Sequence, residues 1–230
     1  MVNNLDQVSV VIPVLNDRSA LEVLLRSLTP FQELEIVVVD GGSNEGSIHE
    51  RQQPVRLLRT ERGRAVQLSA GVASTRRPWL WFLHADSLVT GRVVEALQLA
   101  LGSAQWGRFD ITLSRDTPWF RLIAAAMNQR SAMTSICTGD QGIFVRRALL
   151  EQIGGIPDQP LMEDIELSKR LRRIAKATRI RTVLGTSSRR WENHGTVRTI
   201  LLMWELRLRY FFGTSPEVLA ARYYPDGRWV

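Results

Sequence analysis

Two short runs restrict this chain more than any other feature. VSVVIPV (8–14) and EIVVVD (35–40) are almost unbroken apolar, β-branched sequence, too short for helices and lacking the polar alternation of a half-exposed strand. Each therefore reads as a strand buried on both faces, which requires helices on both sides of the sheet. SALEVLLRSL (19–28) follows the first run with helical spacing and stops before Pro30. VRLLR (55–59) predicts a third strand, RAVQLSAGVAST (64–75) a helix and WLWFLH (79–84) a fourth strand. Such alternation predicts an α/β fold with a mostly parallel central sheet. The second half is less regular, with strands expected at 106–114, 141–145 and 179–184 and helices at 118–130, 146–155, 162–175 and 199–212.

Nothing in the composition divides the chain. Its 230 residues are 44% hydrophobic and 23% charged, without low-complexity tracts, repeats or a Gly/Ser linker, so a single domain over 1–230 is expected, with a C-terminal helical segment from about 194. The net charge of +7 rests on arginine, because only Lys169 and Lys176 are lysines among the 30 basic residues. An arginine excess suits phosphate-bearing partners. The arginines are spread along the chain, whereas a nucleic-acid surface gathers its charge with interleaved aromatics, so no nucleic-acid partner is expected. One cysteine, Cys137, excludes an internal disulfide and suits the cytoplasm. MVNNLDQ has no basic residue ahead of its short apolar stretch, and no apolar run approaches the roughly 18 residues of a membrane span. The apolar segment 199–212 leaves three uses open: core, a homodimer face or peripheral membrane contact.

In folds of this kind ligands gather at the carboxyl ends of the strands. Asp40 ends the second strand and is followed by Gly41 and Gly42, which can adopt positive φ and let a ligand approach the backbone. An ionised carboxylate only accepts hydrogen bonds, which suits ribose hydroxyls or a pyrimidine N–H; Asp-Gly is equally a common turn pair. The first strand ends in Pro13 without a GxGxxG loop, and no GxxxxGK[ST] occurs, so any diphosphate is held by other means. His84 and Asp86 lie two apart after the fourth strand. If the chain is still extended there, both project from one face while Ala85 points away. Asp86 can serve as the sole carboxylate ligand of Mg²⁺ when substrate phosphates complete the shell, and a histidine ligand would favour Mn²⁺. His84 either ligates the cation or hydrogen-bonds Asp86 or backbone. Glu163 and Asp164 open a helix, where the macrodipole favours negative charge; they either cap the helix or supply a general base.

Taken in order, VVIPVLND, VVVDGGS, FLHADS, GDQGIFVRR, PLMEDIELSKRLRR and SSRRW resemble the motif series of the family 2 glycosyltransferases, which have the GT-A fold, over roughly residues 8–192. More narrowly, GDQGIFV, IGGIPDQPLMEDIEL and SSRRWENHG resemble the subgroup associated with arsenosugar biosynthesis, also described as radical-SAM and selenodomain-associated transferases. The resemblance implies a nucleotide-sugar donor, UDP-linked by family habit, and a small-molecule acceptor in preference to a lipid. Asp40 is then expected at the base, Arg64 near the base or phosphates, and Asp86 at the last position of the metal-binding DxD. Pro13, Gly41, Ala85 and Trp191 complete the expected nucleotide contacts. Asp164 matches the catalytic base of the ED motif, with Glu163 beside it. Arg190 and Trp191 match the RW of QxxRW, with Arg190 near the diphosphate leaving group. His84 replaces the first acid of DxD, and Ser187 stands where the Gln would be. His194 is either a further ligand to the cation or a surface histidine.

Two rival functions are weighed on the same residues. A sugar nucleotidyltransferase should carry a Gly-rich, basic loop directly after the first strand, and PVLND is not one. A non-catalytic nucleotide- or nucleic-acid-binding domain would use the arginine excess, with binding that falls steeply with salt.

Overall fold

The computed structural model of the chain describes residues 4–44, 55–189 and 195–224. Seven strands form one sheet: β1 (Val8–Val14), β2 (Glu35–Asp40), β3 (Val55–Arg59), β4 (Trp79–Phe82), β5 (Trp106–Leu113), β6 (Phe144–Arg146) and β7 (Thr178–Thr186). Their spatial order is β3-β2-β1-β4-β6-β5-β7. β1 pairs in parallel with β2 on one side and β4 on the other, and only β6 runs antiparallel to its neighbours. The chain leaves β1 toward β2 and β3, then returns across β1 to β4. The strand order thus reverses between β1 and β4, where doubly wound sheets open a crevice at their carboxyl ends.

The two-residue repeat of a strand sends alternate side chains to opposite faces. Val8, Val10, Ile12 and Val14 of β1 join Ile36, Val38, Trp79 and Trp81 in one cluster. It is covered by α1 (Arg18–Leu28), through Leu21, Leu24 and Leu28, and by α3 (Gly91–Leu101), through Val93, Val94 and Leu97. Val11, Val37, Val39, Leu80 and Phe82 face the other way. They meet α2 (Arg64–Ser74), α5 (Arg147–Gln152) and α6 (Glu163–Arg172) through Ala65, Leu68, Leu149, Leu150, Leu167 and Leu171. α2 lies so close to the sheet that a Cβ on Gly71 would stand 2.3 Å from Val11 Cγ1.

The second half departs from expectation in detail. Residues 118–130 extend into α4 (Pro118–Thr134), and the strand expected at 141–145 is β6, preceded by a 3-10 turn at Gly139–Gln141. The turn appears because Gln141 Oε1 accepts from Thr138 N at 3.1 Å while its Nε2 donates to Ser131 Oγ at 2.9 Å, tying that backbone to α4 rather than to a ladder. α3 was not anticipated, although GRVVEALQLAL carries a clear helical stripe. α7 (Thr196–Phe211) matches the C-terminal helical expectation, and α8 (Pro216–Tyr223) follows it. No helix among the described residues is long and apolar enough to cross a membrane.

Candidate active site

Pro13 shows how the crevice is opened. Leu83 N donates to Val11 O while Gly41 N donates to Val14 O, so odd positions of β1 bond toward β4 and even positions toward β2. Pairing with β4 stops at Val11–Phe82. The N–H that Pro13 lacks would have pointed past the end of β4, so the proline costs no ladder bond there. Beside it Gln67 of α2 is buried, and its Nε2 donates to Val14 O at 2.8 Å and Val39 O at 2.7 Å. It adds a second donor to Val14 O, which already accepts from Gly41 N, and one to Val39 O, tying α2 to the ends of both strands.

Asp40 holds the next loop. Its Oδ1 accepts from Gly42 N (3.1 Å), Ser43 N (2.8 Å) and Ser43 Oγ (2.7 Å), and Oδ2 lies 3.9 Å from Arg59 Nε. The turn role is therefore real and occupies one oxygen. Gly42, not Gly41, takes the positive φ, at 89°. The loop is clasped to the one after β1 by Asn16 N donating to Ser43 Oγ at 2.9 Å.

The extended geometry expected for His84 and Asp86 is not observed. β4 ends at Phe82, and Ser87 N donates to His84 O at 3.1 Å, closing a turn over HADS. The turn brings His84 Nδ1 to 4.0 Å from Asp86 Oδ1. Its exit is pinned to β7, with Leu88 N donating to Gly185 O at 2.8 Å. Ala85 is buried in the sheet core, so only its backbone can face a ligand. The strand gives way where its own ladder ends, with β1 at Val11–Phe82 and with β6 at Trp81–Phe144.

α6 begins at Glu163 behind Met162, whose φ is 66°. Asp164 is half-buried and accepts two backbone bonds, from Ile165 N to Oδ1 (2.7 Å) and from Gly139 N to Oδ2 (2.9 Å). Glu163 is buried beside it, with Oε1 3.2 Å from Arg64 Nε. Burial first, and then the neighbouring Asp164, push the Glu163 carboxyl up to about 7, against the opposing pull of Arg64. Near neutral pH the Glu163 carboxyl therefore stays partly protonated, which an ordinary glutamate does not.

Gly139 joins the two halves of the site. A Cβ there would stand 1.9 Å from Arg64 Nη2 and 2.5 Å from His84 Nε2. Arg64 and His84 thus converge on the backbone whose N–H fixes Asp164, and only glycine leaves room for both. Arg64, expected near the base or phosphates, has its Nε 3.2 Å from Glu163 Oε1.

Three residues escaped the sequence reading. Asp140 follows Gly139, and burial pushes its carboxyl up, opposed by Thr138 and reinforced by Asp164. Arg130 of α4 is held below the usual arginine range by burial, with Asp140 and Asp164 close enough to oppose the shift. Arg189 donates from Nη2 to Asp17 Oδ2 at 2.6 Å, and the charge of Asp86 also reaches it. Asp140 lay inside the quoted GDQG motif, and Arg189 is the first arginine of SSRRW. Arg190, Trp191 and His194 lie outside the described residues.

His84 and Asp86, the pair expected to hold a divalent cation, have Nδ1 and Oδ1 4.0 Å apart. No group of three or more His, Cys, Asp or Glu side chains suited to a metal occurs among the described residues. One or two protein ligands suffice for Mg²⁺ when substrate phosphates and water complete the shell.

Residues 9–152 match the family model described as Glycosyl transferase family 2. The chain belongs to that family. Similarity to "Probable glycosyltransferase YdaM" of Bacillus subtilis (strain 168) is 25% identity over 244 residues, covering 94% of this chain and 57% of that protein. This family 2 chain therefore spans little more than half of that relative. Among solved structures, S. aureus TarS 1-349 superposes with a TM-score of 0.63 at 15% identity, covering 79% of this chain and 60% of that one. The mannosyltransferase PcManGT from Pyrobaculum calidifontis, in complex with GDP-Man and Mn²⁺, gives 0.62 at 21% identity, covering 97% and 66%. These likenesses establish the GT-A fold for this family 2 member.

Proposed function

We propose that this family 2 protein is an inverting glycosyltransferase that moves a sugar from a nucleoside diphosphate sugar to an acceptor hydroxyl. One observation carries it: Asp164, fixed by two backbone donors, shares Gly139 with His84 and Arg64, so the base candidate and the cation-ligating turn face one crevice. In this reading the acceptor O–H gives its proton to Asp164. The freed oxygen attacks the anomeric carbon from the face opposite the diphosphate, whose bond to that carbon breaks as the nucleoside diphosphate leaves. Positioning and electrostatic stabilisation then dominate catalysis. Glu163 acts as a positioning residue that holds Arg64 across the site. Asp40 reads the base with Oδ2, Pro13, Gly41 and the Ala85 backbone line the nucleotide, and Arg64 and Arg189 add positive charge near the diphosphate. Arg190, Trp191 and His194 keep the roles their motif implies.

His84 and Asp86 would hold the divalent cation, which when bound neutralises charge on the diphosphate. The histidine favours Mn²⁺ over Mg²⁺, and the complex of PcManGT with Mn²⁺ supports a cation in this fold. TarS 1-349 binds UDP-GlcNAc and PcManGT binds GDP-Man; with the motif resemblance, a UDP sugar is the donor we favour, and small-molecule glycosylation of the arsenosugar type, in the cytoplasm, the setting.

A thermal-shift panel of nucleotide sugars with Mn²⁺ or Mg²⁺ tests donor and cation together, since a selective ligand raises apparent stability. Asp164→Asn tests the base. Turnover should fall by roughly 10²- to 10⁴-fold while UDP affinity stays within a few-fold, and near-normal turnover would remove Asp164 from that role.

A further inference from the structure

Arg130 stands apart from the other buried arginines. Its Nε and Nη2, the edge of the guanidinium that makes two parallel hydrogen bonds to one oxyanion, are both buried and meet no hydrogen-bond partner. Arg108 of β5 shows what this chain does with a structural arginine. Its Nη1 donates to Phe109 O and Asp110, its Nη2 donates to Asn128 O at 2.9 Å, and Arg179 closes on the same Asp110 at 2.8 Å. Arg130 has acids near it but is not closed in this way. Asp140 and Asp164 lie near enough to act on its charge, yet neither occupies the fork. Asp140 Oδ1 is likewise buried without a partner. Buried polar groups are nearly always satisfied; the Arg130 fork and Asp140 Oδ1 are not, and Asp140 follows the glycine whose N–H holds Asp164, so the pair calls for a ligand that supplies both an acceptor and a donor.

We propose that Arg130 and Asp140 form an acceptor-side subsite, in which the Arg130 fork takes a carboxylate or phosphate of the acceptor and Asp140 receives one of its hydroxyls. This rests on the glycosyltransferase reading and deepens it. An acceptor so held presents a neighbouring hydroxyl to Asp164, which defines its class as a hydroxylated oxyanion. The outer face of α4 exposes Trp119, Leu122 and Met133, so the same oxyanion chemistry can arrive on a soluble molecule or on a lipid headgroup.

Calorimetry on the full chain with UDP and Mn²⁺ present distinguishes these cases, using sn-glycerol 3-phosphate and D-glycerate as probes, glycerol as the neutral control, and vesicles with or without phosphatidic acid. Saturable binding of an oxyanion but not of glycerol is expected. Free probes binding identifies a soluble source, and binding only to phosphatidic acid vesicles identifies a lipid source; both support the subsite. Arg130→Gln should weaken that binding by about 10- to 100-fold, the worth of hydrogen bonds to a charged group. UDP affinity should stay within twofold. Arg130→Lys keeps the charge and loses the fork, so an intermediate loss is expected and stands in if the Gln variant does not fold. UDP binding without any saturable oxyanion, or oxyanion affinity unchanged in the Arg130 variants, overturns the subsite and leaves the transferase reading intact. Failure of the unmodified chain to bind any nucleotide overturns both.

Discussion

Replacing Glu163 by Gln should remove a specific part of the pH dependence of stability. Glu163 is 6% exposed, and its carboxyl rises from an ordinary 4.5 to about 7 in the folded chain because burial and Asp164 disfavour its charge. A folded value above the unfolded one means that the folded state binds more protons between them. The contribution is fully present below 4.5 and is lost as pH rises through about 7. Over that window the loss runs at about 1.4 kcal/mol per pH unit for one proton. Between pH 5 and pH 8 the unmodified chain should therefore lose roughly 2 to 3 kcal/mol relative to Glu163→Gln, a neutral side chain of nearly the same shape. Groups remote from Glu163 titrate alike in both proteins and cancel in the difference. Urea unfolding of the two proteins at half-unit steps of pH measures it, with m-values compared to confirm that the unfolding reaction is unchanged. A stability difference that stays flat from pH 5 to 8 would show that Glu163 ionises normally in the folded state, and that Arg64 outweighs burial.

Two further substitutions probe the site. Asp86→Ala should abolish the Mn²⁺-dependent part of UDP affinity in calorimetry while leaving the cation-independent part, and unchanged metal dependence would sink its ligand role. Gly139→Ala should cost about 1 to 3 kcal/mol through overpacking, with a larger effect on turnover. The new methyl meets movable ends of Arg64 and His84 rather than backbone, and displacing groups at a reacting centre by about 1 Å can cost about 100-fold. Denaturant unfolding and initial rates on one preparation separate the two effects, and equal proportional losses would argue against a special place for this glycine.

Much of the frame was legible because it depends on local pattern. β1, β2 and β3 occupy the residues expected of them, since an apolar run bounded by Pro, Gly and charged residues has one way to satisfy both its burial and its backbone. Asp164 was legible as the start of a helix. The HADS segment was legible only as polar sequence after a strand. Whether His84 and Asp86 stayed extended depended on where β4 lost its partners, and β6, which pairs with it in antiparallel fashion, comes some 60 residues later. α3 is different, because Val93, Val94, Leu97 and Leu101 form a helical stripe that is present in the sequence itself.

The sequence by itself determined a doubly covered, mostly parallel sheet with polar residues at its carboxyl ends, because strand period and apolar run length are properties of neighbouring residues. It also carried the motif order that marks family 2. The tertiary structure decided which of those polar residues act on one another. Glu163 reaches about 7 only because folding buries it between Asp164 and Arg64, residues separated in the chain by the three strands β4, β5 and β6 and the helices around them. Arg130 gains its meaning in the same way, from Asp140 and Asp164 brought beside it by the 3-10 turn and α6. Desolvation and charge coupling act through space over a few ångströms, and spacing along the chain does not encode them.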